Sequence, residues 1–193
     1  WPLEYTTTER ICLVSSFIAT LLIGDYAPLD TSDGSGMNLM DIRRKKWAPE
    51  ALKATAPGLE QKLGEVVPAH TVVGRVHSFY RRGFGFSSDC VVVAFSGDNP
   101  CSLAGMRLQR PGDIAISLGT SDTLFGVLAR PKPSESEGHI FANPVDPKAY
   151  MAMVVRKNGS LTRERVLNET VKSKKTSWET FRRILRETAP GNG

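Results

Sequence analysis

Cysteine is scarce in this chain: Cys12, Cys90 and Cys101 are the only three among 193 residues. No two are spaced as C-x-x-C, and the three histidines (His70, His77 and His139) are scattered. Neither a zinc centre nor a disulfide framework is therefore expected, and a reducing, cytoplasmic setting follows. Cys101 stands three residues from Asp98, but with no histidine beside it to activate a nucleophile it reads as a small buried thiol. Long hydrophobic runs are also missing. The most apolar stretch, Ile11 to Gly24, is fourteen residues long and interrupted by Ser15, Ser16 and Thr20. A bilayer span needs roughly 20, so a buried helix is expected there instead of a membrane segment. No signal peptide and no internal repeat is visible, and without a G-x-x-x-x-G-K-[ST] phosphate loop a P-loop NTPase is not indicated.

Charge of one sign is not abundant either. The formal net charge is +5, which suits anionic ligands such as phosphates but is too mild to argue for nucleic acid. A nucleic-acid reading would rest on Arg43-Arg44-Lys45-Lys46 and on Lys172, Lys174 and Lys175, with no recognised motif around them. The first run reads as a solvated helix start. With 40% apolar and 23% charged residues, the composition is globular and not disordered, and 193 residues suffice for one ordinary domain or two small ones.

Patterning then places the elements. Thr6-Thr7-Thr8-Glu9 is expected to open a helix that Gly24 closes. Asp25 to Gly36 reads as loop, Met37 to Ile42 as a short strand, and Trp47 to Ala56 and Leu59 to Leu63 as helices, with Pro49 in a first turn. Val72 to Val76 suggests a strand, and Phe79 to Phe86 a helix ending in a Gly-rich turn. The β-branched run Cys90 to Phe95 predicts a strand buried on both faces, followed by a helix over Cys101 to Met106. Asp113 to Leu118 and Thr123 to Leu128 form a hairpin pattern around Gly119-Thr120-Ser121-Asp122. Pro131 to Glu137 reads as a loop, Tyr150 to Val155 as a strand, and Asn158 to Asn168 and Trp178 to Thr188 as helices.

Two stretches hold residue types suited to chemistry. In Ser96-Gly97-Asp98-Asn99, a carboxylate follows a strand and precedes a helix, the place where open α/β sheets bind ligands. Gly97 lets a substrate approach the backbone. Asp98 can accept a proton from a hydroxyl, and Asn99 offers both a donor and an acceptor. The plainer alternative is that Asp98 caps the helix, a role worth about 1 kcal/mol. In Leu118-Gly119-Thr120-Ser121, turn N–H groups and two hydroxyls form a donor set fit for phosphate oxygens. An ordinary β-turn would use the same residues to satisfy its own backbone.

In this order the two stretches resemble the FGGY carbohydrate kinases, which carry G-D-N or G-D-Q with the catalytic aspartate and then S-L-G-T-S against the ATP phosphates. Ser32-Asp33-Gly34-Ser35-Gly36-Met37, with Asp41 and Trp47 after it, is similar to that family's S-D-A-[SAG]-G stretch. Gly138-His139-Ile140-Phe141-Ala142-Asn143-Pro144-Val145-Asp146 and Lys157-Asn158-Gly159-Ser160-Leu161 look like its animal-type, xylulose-phosphorylating members. The resemblance implies a partial α/β fold of the actin/hexokinase/Hsp70 (ribonuclease H-like) ATPase type covering parts of two domains. Residues 1–88 would be the end of the sugar-binding domain and 89–193 the start of the ATP-binding one. It also implies ATP and Mg²⁺ as cofactors, D-xylulose as the sugar, Asp98 as general base and sugar ligand, and Asn99 as sugar ligand. Gly119, Thr120 and Ser121 would contact ATP phosphates and Trp178 would lie near adenine, though a core position on an amphipathic helix would explain Trp178 equally well. No protein metal ligand is implied, nor a nucleic-acid or membrane partner. The family's D-x-G-T hairpin, its Gly-Gly adenosine motif and its sugar-binding histidine have no counterpart in the 193 residues. Together with a start at Trp1, this leads to the expectation of a segment from a longer chain. A kinase for another sugar, such as ribulose or glycerol, and a non-catalytic segment of the same fold are the rival readings.

Overall fold

A computed structural model describes residues 2–171 and 177–191; the basic residues Lys172, Lys174 and Lys175 lie outside the described residues. The backbone falls into two units, residues 1–115 with 125–154, and residues 116–124 with 155–193.

In the first unit, α1 (Leu3–Thr7) and α2 (Val14–Ile23) are separate helices. The expected start at Thr6 is thus replaced by an extended link, pinned where Ile11 N–H donates to the Lys62 carbonyl at 2.9 Å. Gly24 does close α2, in the left-handed conformation (φ 76°) that favours glycine. The buried helix expected here is buried on one narrow stripe only. Ser16 and Ala19 face inward, while Val14 and Phe17 are 81% and 49% exposed.

The stretch expected as loop instead forms β1 (Leu29–Asp30) and α3 (Thr31–Ser35). The Asp30 carboxylate makes this possible, accepting from Ser32 N–H at 2.6 Å and Asp33 N–H at 3.1 Å. Next, β2 (Met40–Asp41) and β3 (Lys46–Trp47) form a small antiparallel hairpin. Its turn is residues 42–45, so the basic run Arg43–Lys46 is no helix start but leads from the turn into β3. Asp41 Oδ1 accepts from the N–H groups of Arg43 at 3.0 Å and Arg44 at 3.1 Å and folds the chain back. After it come α4 (Pro49–Thr55), with Pro49 in its first turn, and α5 (Leu59–Leu63), as the pattern predicts. β4 (Val66–Val67) then pairs parallel with β1. Leu29, Trp47, Leu52, Ala56, Leu59 and Leu63 form the core of this region.

β5 (Val72–Arg75), α6 (Ser78–Phe84) and β6 (Val91–Val93) follow. β6 pairs antiparallel with β5 alone and is covered on one face, by α2. Val92 is buried while Val91 and Val93 are 49% and 43% exposed, so burial on both faces does not hold. Next is α7 (Asp98–Gly105), which starts three residues earlier than the pattern predicts; Pro100 fits its first turn because the N–H it lacks has no helical partner there. The strands β7 (Ile114–Leu118), β8 (Asp122–Leu128), β9 (His139–Ala142) and β10 (Tyr150–Arg156) make a sheet in the order β7-β8-β10-β9. β7, β8 and β10 each run from one unit into the other. Leu103 of α7 is wholly buried with Phe125, Val127, Phe141 and Met151, which ties the helix to this sheet.

The second unit contains the hairpin tip between β7 and β8, α8 (Gly159–Thr170) and α9 (Trp178–Glu187). Its small core is Leu167, Val171 and Phe181, with Ile184 packed against it. Among the described residues no helix is long and apolar enough to cross a membrane.

Candidate active site

Asp98 is exposed at the start of α7, directly after the backbone leaves β6. It does not occupy the N-cap position of that helix, although its carboxylate takes one of the helix's open N–H groups. The N-cap position belongs to Gly97, which offers no side chain to the open N–H groups, and Asp98 sits one residue inside. Its carboxylate is held locally instead: Oδ1 accepts from the Asn99 backbone N–H at 2.8 Å and from Asn99 Nδ2 at 3.0 Å. Oδ2 takes no hydrogen bond from a described residue, and the Asn99 amide is held beside Oδ1. A carboxylate at a helix N-terminus is also stabilised by the helix dipole, so a cation is not needed to keep it in place.

A second layer lies beneath this loop. Ser15 Oγ donates to Asp33 Oδ2. Asp33 Oδ1 reaches so close to Gly97 that a Cβ there would stand 2.7 Å from it. A side chain at position 97 would therefore have to displace the Asp33 carboxylate. Asp30, only 1% exposed, lies below, and burial pushes its carboxyl above the ordinary 3.8. The buried Ser96 hydroxyl is near enough to temper that shift, yet makes no hydrogen bond of normal geometry. Cys101 is exposed, not buried as the sequence suggested, because it lies on the open side of the first turn of α7. Its Sγ donates to the Ser96 carbonyl at 3.7 Å. Desolvation, aided by the charges of Asp30, Asp33 and Asp98, pushes the thiol's pKa up, the wrong direction for a nucleophile.

In the second unit, Gly119 and Thr120 are exposed at the hairpin tip and Ser121 is half-buried. Gly119 N–H donates to the Ser121 carbonyl at 3.1 Å, closing the turn. The tip is fastened to α8. Arg163 Nη1 meets Asp122 Oδ1 at 2.5 Å, and Nη2 donates to the Gly119 carbonyl at 2.9 Å. Trp178, on α9, is 44% exposed and packs edge-on against Phe181 with ring centroids 5.7 Å apart. One edge of the indole is thus anchored in the core while the rest remains open. Asp33, Ser15, Asp122 and Arg163 as working residues were not legible in the sequence. Ser15–Asp33 and Asp122–Arg163 are 18 and 41 positions apart, and no local pattern joins them.

Comparison with known proteins identifies the family. Residues 2–105 match the description "FGGY family of carbohydrate kinases, N-terminal domain". The chain is 56% identical over 191 residues to the xylulose kinase of Mus musculus, covering 99% of this chain and 34% of that protein. It is 53% identical over 188 residues to xylulose kinase 2 of Arabidopsis thaliana, covering 97% of this chain and 33% of that one. The chain therefore spans about a third of the length of the curated relatives it matches. Among solved structures, one described as a xyloylose kinase from Brucella ovis superposes with a TM-score of 0.82 at 26% identity, covering 96% of this chain and 37% of that one. The fold is thus part of the actin/hexokinase/Hsp70-type α/β architecture of those kinases. With more than half of its residues matched to the family's N-terminal domain and the Gly97-Asp98-Asn99 turn at the head of α7, this chain belongs to the FGGY family of carbohydrate kinases.

Proposed function

We propose that these residues supply the central part of an ATP-dependent kinase, cytoplasmic in setting, that phosphorylates the 5-hydroxyl of D-xylulose. In this reading Asp98 Oδ2 accepts the hydroxyl proton as the sugar oxygen attacks the γ-phosphorus, and Asn99 binds a neighbouring hydroxyl. The observation that carries it is the Asp98 carboxylate itself, exposed and anchored through Oδ1 by the Asn99 backbone N–H and side-chain amide at the head of α7. A fixed carboxylate within hydrogen-bond reach of the attacking hydroxyl is what the chemistry needs. Xylulose is favoured over other sugars by the identities of 53% and 56% to proteins named as xylulose kinases. Residues 1–88 would then complete the sugar-binding domain and 89–193 begin the ATP-binding domain.

The tip fits nucleotide phosphates: Gly119 closes the turn with its own N–H, and Thr120 and Ser121 bring their N–H groups and two hydroxyls on a fastened loop. The open part of Trp178 fits a face of adenine. Mg²⁺ would arrive with the nucleotide and neutralise phosphate charge. Among the described residues no three His, Cys, Asp or Glu side chains converge to hold it. Positioning and charge stabilisation supply most of the rate in such transfers, so the protein's task is alignment.

A graft tests the reading. This chain, placed in the mouse relative instead of the 191-residue stretch it matches, should give a chimera that releases ADP with D-xylulose and far less with ribulose or glycerol. Asp98→Asn in that chimera should lose about 10²–10⁴-fold in turnover, the usual share of general acid–base catalysis, with sugar affinity kept within about tenfold. Near-normal turnover of the variant would remove Asp98 from the base role.

A further inference from the structure

The hairpin tip is held by more than its own turn. Three contacts run from α8 to it. Arg163 Nη1 pairs with Asp122 Oδ1 at 2.5 Å, Arg163 Nη2 donates to the Gly119 carbonyl at 2.9 Å, and Ser160 N–H donates to the Thr120 carbonyl at 3.4 Å. A fourth feature is steric. Gly159, at the first position of α8, lies so tightly on Asp122 that a Cβ there would overlap both carboxylate oxygens. Arg163 and Asp122 are both only partly exposed, with side-chain exposures of 29% and 36%.

We propose that Arg163 is a positioning residue that clamps the Gly119–Asp122 tip through Asp122 and the Gly119 carbonyl, so that the tip presents donors and not acceptors to an anionic ligand. The inference rests on the reading that this tip binds nucleotide phosphates. Its physical basis is the direction of the backbone. A phosphate oxygen is attracted by N–H groups and repelled by carbonyls and carboxylates. Here the Gly119 and Thr120 carbonyls are turned onto α8, and the Ser121 carbonyl is used by Gly119 N–H. The Asp122 carboxylate, which would repel phosphate from the base of the loop, is neutralised and held back by the guanidinium. The hydroxyls of Thr120 and Ser121 remain unengaged by any described residue. The planar fork of arginine is needed because two different acceptors, a carboxylate and a carbonyl, are bridged at once; a lysine ammonium is a single point.

The clamp makes separable predictions. In the chimera with the mouse relative, Arg163→Met should raise the KM for ATP at least tenfold and leave the KM for D-xylulose within twofold. Arg163→Lys should recover less than half of that loss on a logarithmic scale, since charge returns without the fork. Asp122→Asn added to Arg163→Met should not restore ATP affinity if geometry is what matters. Full restoration would show simple charge neutralisation and overturn the clamp. Gly159→Ala is an independent route to the same defect, because it evicts the Asp122 carboxylate. Amide hydrogen exchange in the 193-residue chain gives a readout without ATP. The hydrogen-bonded Gly119 and Ser160 amides should exchange at least tenfold faster in Arg163→Met, while amides around Leu167 and Phe181 keep their protection. Unchanged exchange at the tip would refute the clamp whatever the kinetics. A parent chimera with no ATP-dependent turnover would count against the phosphate role of the hairpin, and the exchange rates would still judge the clamp by themselves.

Discussion

Gly97→Ala gives the sharpest test of how the Asp98 loop is built. The backbone at Gly97 is extended (φ −65°, ψ 164°), a conformation alanine adopts freely. By itself the change should therefore stabilise by about 0.4–1 kcal/mol, through reduced freedom of the unfolded chain. The structure opposes that gain. The new Cβ would stand 2.7 Å from Asp33 Oδ1 and 3.3 Å from its Cγ, well inside normal contact. Asp33 must then rotate and surrender the bond from Ser15 Oγ. Overpacking costs about 1–3 kcal/mol, and a hydrogen bond to a charged group is worth about 1.5–3 kcal/mol. Asp33 is half-buried and regains water on moving, so the lower end applies. A net destabilisation of about 1–2 kcal/mol is expected, or a Tm lower by about 2–8 °C for a chain of this size. Urea and thermal unfolding of parent, Gly97→Ala, Asp33→Ala and the double variant measure it. In the Asp33→Ala background, Gly97→Ala should become neutral or stabilising, and Ser15→Ala should soften its cost. An equal penalty with and without the Asp33 carboxylate would refute the argument, because the clash would then lie elsewhere.

Further outcomes can be stated briefly. Leu103→Ala should cost about 2–5 kcal/mol in urea unfolding, since a wholly buried leucine ties α7 to the β8, β9 and β10 core. Asp30, whose carboxyl is raised above 3.8 by burial, should make stability fall as pH rises from about 4 through its folded pKa. Asp41 and Asp113 are lowered by backbone N–H groups, so their contribution is present above 3.8 and lost as pH falls through their folded values. The stability difference between Asp30→Asn and the parent should therefore shift in the variant's favour between pH 4 and 7; a difference that does not vary with pH would contradict the burial account. The 193-residue chain by itself is expected to bind ATP weakly and not to phosphorylate xylulose. Measurable product from it in a coupled ADP assay would show that the two segments of the site suffice.

Much was legible without coordinates. Gly24 ends α2, Pro49 opens α4, Leu59–Leu63 is α5, and the Gly119–Asp122 tip joins β7 to β8, because each depends on local backbone chemistry. The same holds for the words Gly97-Asp98-Asn99 and Leu118-Gly119-Thr120-Ser121, whose residue types and order carry the family likeness. Errors arose where a side chain overrode local propensity or where exposure depends on distant neighbours. Asp30 turned an expected loop into α3, Asp41 turned a basic run into a hairpin turn, and the apolar faces of α2 and β6 stand open. Composition cannot say which face of an element is covered, since that depends on what packs against it.

Sequence alone therefore determined α4, α5, the Gly119–Asp122 tip and the Gly97-Asp98-Asn99 stretch, which follow from contacts within a few residues. Only the tertiary structure decided that the Asp33 carboxylate lies against Gly97 and that Arg163 reaches Asp122, 41 residues away, and the Gly119 carbonyl. Those facts belong to pairs brought together by packing, and packing leaves no mark at fixed sequence spacing.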